Sequence, residues 1–169
     1  MASKWATPTV AIHRGEDCPF KLLCSFDTSP APESDMLCVG EEFGVELPAE
    51  VVQFWRKHQA ASLFKDVAYG QWGLEILSPA DAIIESRSFL EERRNDVLDG
   101  DLVIGKFVGD SDILLLRTDP NSVDYASVLV ALPLDCRGEW PLVANDFAEF
   151  LDKYEREQGD KHWEIVRES

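Results

Sequence analysis

Four consecutive large aliphatic residues, Ile113-Leu114-Leu115-Leu116, stand between Asp112 and Arg117. Successive side chains of a strand point to opposite faces, so an apolar run of this length between turn residues describes a strand covered on both sides. A chain built around it needs a sheet with packing layers on each face. Leu102 to Val108 and Ala126 to Leu132 read as its neighbours, with Gly109-Asp110-Ser111-Asp112 and Asp119-Pro120-Asn121-Ser122 supplying the reversals. Connections this short give an antiparallel meander, and Leu74 to Leu77 adds one more strand.

The covering layers read as helices. One runs from about Asp35 to Phe43 and stops at Gly44. The next starts with Pro48 as its first residue and places Val51, Phe54, Trp55 and His58 on one face at i, i+3, i+4 and i+7. Ser78-Pro79-Ala80-Asp81 has the form of a capped start, leading a helix through Ile83, Ile84 and Leu90. Its end, Glu91 to Asp96, mixes signs as solvated helix surfaces do. Asn145 is the expected cap of a last helix lined by Phe147, Phe150, Leu151 and Tyr154 and closed by Gly159. The tail Lys161 to Val166 is too apolar to lie free and is expected as an edge strand or a docked Trp163. Before Asp35 the apolar pieces Thr9 to Ile12 and Phe20 to Phe26 are short, and Thr28-Ser29-Pro30-Ala31-Pro32 reads as a loop. The expected organisation is a partly ordered N-terminal extension, residues 1–34, and one α+β domain, residues 35–169, with a mainly antiparallel sheet packed against helices.

At 169 residues the chain can bury one real core. Its 32 acids against 16 Lys and Arg leave a net charge of -16. Nucleic acid is thereby disfavoured as a direct ligand, because phosphate binding depends on cationic side chains. Anionic lipid surfaces are disfavoured for the same reason. A basic protein partner suits the field, although acidity for solubility alone accounts equally for the charge. Cys18, Cys24, Cys38 and Cys136 form no CxxC pair, so free thiols in a reducing, cytoplasmic setting are expected. Neither a signal peptide nor a run of about 18 apolar residues is present, so export and membrane insertion are not expected.

The acids Asp99, Asp101, Asp110 and Asp112 could be brought together by the central hairpin and hold a divalent metal. The same residues are ordinary turn formers, and roles as turn or partner-contact residues are favoured over a metal or acid-base site. His13, His58 and His162 show no arrangement with a Ser or Cys nucleophile, and His58, sharing a face with Val51 and Trp55, reads as structural. Gly105-Lys106-Phe107-Val108-Gly109 lacks the ending of a phosphate loop. No catalytic residue, metal ligand or cofactor is assigned. Tyr69, Trp72, Trp140 and Trp163 are core candidates, with Tyr69 and Trp72, beside glycines, the best candidates for a surface patch.

Several segments, in this order, resemble the SUKH superfamily. Glu42-Phe43-Gly44-Val45-Glu46-Leu47-Pro48 is similar to its E-x-G-x-x-L-P entry into a second helix, and Phe54 and Trp55 match that helix's bulky positions. Gly70-Gln71-Trp72-Gly73-Leu74 and Leu77-Ser78-Pro79-Ala80-Asp81 resemble its first strand and next helix start. Ile104-Gly105 and Gly109-Asp110 match its central hairpin, while Trp140 and Phe147-Ala148-Glu149-Phe150-Leu151 match the closing segment. The resemblance spans approximately Asp35 to Tyr154. It departs at Lys57-His58-Gln59-Ala60-Ala61, where the family commonly has N-G-G or N-G.

The resemblance implies a non-enzymatic binding protein, since the superfamily comprises bacterial toxin-immunity proteins, the Syd protein and a fungal regulator of cell-wall synthesis. The expected function is neutralisation of a protein toxin, a nuclease being one class, by occlusion of its active surface. A regulatory adaptor for a housekeeping partner and a metal-dependent hydrolase are the alternatives. Tyr69, Trp72, Asp99, Asp101, Asp110 and Asp112 are the expected partner contacts.

Overall fold

The computed structural model describes residues 9–12 and 19–165. Its eight strands form one sheet in sequence order: β1 (Thr9–Ile12), β2 (Pro19–Phe26), β3 (Ala61–Asp66), β4 (Leu74–Ile76), β5 (Asp101–Phe107), β6 (Ile113–Arg117), β7 (Val128–Ala131) and β8 (Leu142–Ala144). Every neighbouring pair is antiparallel. Helices α1 (Glu33–Phe43) and α2 (Ala49–Lys57) are inserted between β2 and β3, and α3 (Pro79–Glu92) between β4 and β5. A short 3-10 turn (Arg137–Glu139) precedes β8, and α4 (Phe147–Arg156) and α5 (His162–Ile165) follow it. The α+β architecture expected from the sequence is the one present.

The aliphatic run behaves as its pattern requires. Leu114 and Leu116 point into a large core with Leu102, Ile104, Val128 and Val130, packed under Trp55 of α2 and Phe147, Phe150 and Tyr154 of α4. Leu115 points the other way, into a smaller cluster with Val103, Leu129, Phe89 of α3 and Trp140. All three leucines are fully buried, and each such burial stabilises by roughly 1.5–3 kcal/mol.

The caps at Gly44 and Ser78 fall where expected and the others shift: Pro48 is the N-cap of α2 and not its first residue, and α4 ends at Arg156 with Glu157 at its C-cap, short of Gly159. Gly44 ends α1 in the left-handed region at φ 59. Ser78 Oγ accepts from the Asp81 N–H at 3.1 Å and donates to the Asp81 carboxylate at 2.7 Å, starting α3. The cap of α4 is Asp146, not Asn145: the Asp146 carboxylate accepts from the Glu149 N–H at 2.8 Å. Asn145 donates its N–H to the returning Glu149 carboxylate at 2.6 Å, so the reciprocal capping box is displaced by one residue.

Several placements differ from the sequence reading or extend it, the unanticipated three-residue β8 among them. β2, inside the segment expected as an extension, is an interior strand between β1 and β3 and contributes the fully buried Leu22. β3 was not anticipated, because Phe64 at φ 50 interrupts its alternation and buries two successive side chains. The tail resolves to the docked tryptophan: α5 buries Trp163 against Phe107, ring centroids 5.4 Å apart. Residues 1–8, His13, Cys18 and Val166 lie outside the described residues. Among those described, no helix is long and apolar enough to cross a membrane.

Candidate functional site

The central hairpin separates the four acids expected to act together. Asp110 and Asp112 belong to its turn, whereas Asp99 and Asp101 lie at the opposite end of β5. Seven residues of strand at about 3.3 Å each put the pairs roughly 20 Å apart. Each end has its own chemistry.

At the turn end, the β3–β4 connection is pinned from inside. The buried Asp66 carboxylate accepts from the N–H groups of Ala68 at 2.8 Å and Tyr69 at 3.2 Å. Tyr69 is thereby held outward with 74% of its surface exposed. Trp72 turns inward, half-buried, and donates Nε1–H to the Gly159 carbonyl at 3.0 Å. The β3–β4 and β5–β6 turns touch: a Cβ on Gly109, at φ 92, would fall 1.8 Å from the Gln71 carbonyl oxygen, so only glycine fits.

Lys161 ties this end together. Its ammonium, on a side chain 3% exposed, donates to Asp112 at 2.9 Å and to Asp110, and lies 3.6 Å from Glu164. It sits over the faces of Phe107, 4.8 Å from the centroid, and Trp72, 5.4 Å away. Asp112 is therefore internal, while Asp110 keeps 36% of its side chain exposed. The place a metal would need beside this acid pair is filled by the chain's own cation.

The opposite end carries a second buried network. Asp101, with a side chain 1% exposed, receives Arg117 Nη1 at 2.7 Å on one oxygen and Arg137 Nη1 at 2.5 Å on the other. Arg117 also donates Nε–H to Asp124 at 3.0 Å and Nη1–H to the Asp99 carbonyl at 3.0 Å. Burial pushes the Asp124 carboxyl up, but the bonds from Ser122 and Arg117 outweigh it and hold the group below the usual carboxylate range. Trp140 lies beneath Arg93 and Arg137, each 5.4 Å from its ring centre. Asp101 is thus a structural anion, and neither it nor Asp112 can meet a partner without unfolding its surroundings. Asp99 remains on the surface.

Among the described residues no other chemistry-bearing group assembles. His58 is half-buried between Phe26 and Phe54, ring centroids 5.0 and 5.8 Å away, with Nδ1 2.9 Å from the Asp27 carbonyl oxygen. Burial pushes the Cys24 thiol up to about 11, away from a reactive thiolate. Among the described residues no group of three or more His, Cys, Asp or Glu side chains could hold a metal ion.

The model of the SMI1 / KNR4 family (SUKH-1) matches residues 30–153, more than half of the chain. The chain belongs to this family. No curated protein matches it. SUKH proteins bind protein partners, and the folded geometry gives the family-like motifs physical reasons. Ile104 is core, and Gly105 lies where a Cβ would come 3.0 Å from the Glu75 carbonyl oxygen and 3.3 Å from Leu114. In the Gly-Asp turn, Asp110 accepts from the Asp112 N–H at 3.0 Å. The Phe147, Phe150 and Leu151 triplet is the buried face of α4. Two features of this SUKH chain lie beyond the matched residues: β2, and the segment from Gly159 to α5 that carries Lys161. That segment was missed as part of a site. Its one legible signal was a lysine set among apolar and acidic residues.

Proposed function

We propose that the chain is an immunity-type binding protein that neutralises a protein toxin by occupying its active surface. The fitting partner is basic, with a phosphate-cleaving nuclease as the leading class, and the setting is cytoplasmic. The observation that carries this reading is the turn end of the sheet, where a pinned turn presents Tyr69 beside the acidic hairpin turn of Asp110. An exposed aromatic on a hydrogen-bonded turn is the kind of residue that can anchor an interface. The surrounding anionic field speeds encounter with a cationic cleft and orients it. SUKH membership supports protein binding, and a non-enzymatic role follows from occlusion.

Tyr69, Asp99 and Asp110 are the contacts retained from the sequence reading, with Trp72 supporting the turn. Asp101 and Asp112 are removed from it because their carboxylates are buried in ion pairs. The test is affinity capture from the cells that make the chain, followed by co-expression of the captured protein with and without it. Lethality of the partner alone, relieved by wild type and weakened for Tyr69→Ala, is the expected result. A harmless partner whose activity persists in the complex would identify a regulatory adaptor instead.

A further inference from the structure

A cleft opens between the C-terminal halves of α1 and α3 and the chain entering β5. Its walls include Phe43, Phe89, Leu90 and Leu98, and the last two leave 46% and 50% of their surface in water. Three acidic residues line it, Glu42, Asp99 and Asp101, the last with its carboxylate buried. Two are matched within the chain, Glu42 by Arg87 at 2.7 Å and Asp101 by Arg117 and Arg137. The Asp99 carboxylate has no such match among the described residues, while its carbonyl is held by Arg117, which fixes the backbone beneath it.

The local field adds to this. Neither α1 nor α3 has a basic residue in its last turn, where the negative end of the helix dipole ordinarily draws one. Glutamates stand there instead, Glu41 and Glu42 in α1 and Glu91 and Glu92 in α3. Arg93, just beyond α3, is held by Asp96 and by the carbonyls of Leu132, Pro133 and Asp135. The cleft therefore joins an exposed apolar wall to an unmatched anion near two acidic helix ends.

We propose that this cleft receives a basic side chain of the partner protein, an arginine or lysine. Its methylene stem lies along Leu90 and Leu98, and its cationic head meets Asp99. Long cationic side chains have this two-part build, and a charge-assisted hydrogen bond to a carboxylate is the strong kind. The inference rests on the binding reading above for the existence of a partner, but the cleft is testable without one.

The experiment is a titration of the full 15N-labelled chain with n-butylguanidinium, watched by amide shifts, with guanidinium and n-butanol as the two halves of the probe. Saturable shifts at Leu90 and Leu98 to Asp101 are expected at concentrations where neither half produces them. Asp99→Asn should weaken this binding by about fivefold, leaving other amides in place, and Asp99→Glu should restore it. Shifts equal to those from guanidinium alone, or unaltered binding by Asp99→Asn, would overturn the proposal. Either result leaves partner capture and lethality relief, which use a different readout, to decide the function separately.

Discussion

Lys161 is the residue on which the turn end depends, and it also decides how charge reversals there are to be read. Replacing Asp110 and Asp112 by lysine would place three ammonium groups together in a largely dry site, so lost binding would report lost structure. Lys161→Met should remove about 3 kcal/mol of unfolding free energy in urea, the low end for breaking a buried pair because Asp110 is partly open to water. No loss would mean that the acids do not rely on this cation. Tyr154 behaves in the opposite sense. Its hydroxyl is buried without a hydrogen-bond partner, and burial, with Cys24, Asp110 and Asp160 nearby, pushes its ionisation well up. Tyr154→Phe keeps the ring on Phe150, 5.6 Å between centroids, and removes the orphaned group. A gain of about 1 kcal/mol is expected in the same assay, and a loss of that size would reveal a bond the fold requires.

The docked helix α5 carries the pH sensitivity of this region. Burial, aided by Lys153, pushes the His162 imidazole below its ordinary value of 6.5, against the opposing pull of Glu157, Asp160 and its bond to Val143. Its Nδ1 is buried without a partner, so a second ring proton would have no acceptor. The unfolded segment therefore binds a proton more readily than the folded one, and stability is complete above about pH 6.5 and falls as the pH drops toward the depressed folded value. The protection factors of the amides in residues 159–165, with the intrinsic pH dependence of exchange divided out, should fall in a step as the pH drops from 7.5 to 5.5, and His162→Gln should abolish that step. A step that persists in His162→Gln would assign it to another group. Helices α2 and α4 were legible because long periodic faces, Val51-Phe54-Trp55 and Phe147-Phe150-Leu151-Tyr154, carry their own signal. β8 has three residues and β3 an irregular backbone at Phe64, so neither could be read from periodicity.

Across the whole molecule, the order of β5, β6 and β7 followed from short connections and from a double-faced central strand, both local properties of the sequence, whereas the long helix-bearing connections before β3 and β5 hid the rest of the order. The site did not. Spacing along the chain placed Asp99 to Asp112 in one group, but a strand lies between the pairs, and burial then divided each pair into one internal and one surface acid. Which carboxylates meet a partner depends on where Lys161, Arg117 and Arg137 come to rest, and those residues are 16 to 51 positions away from the acids they hold. The net charge of -16 would suit a basic partner, while the buried ion pairs limit which acids could touch it. If the chain neutralises such a partner by covering it, a titration of the purified partner's activity with the purified chain reads this directly. Activity should fall linearly to zero at one equivalent, with association slowing as salt is raised. Full activity in a stoichiometric complex would contradict the account.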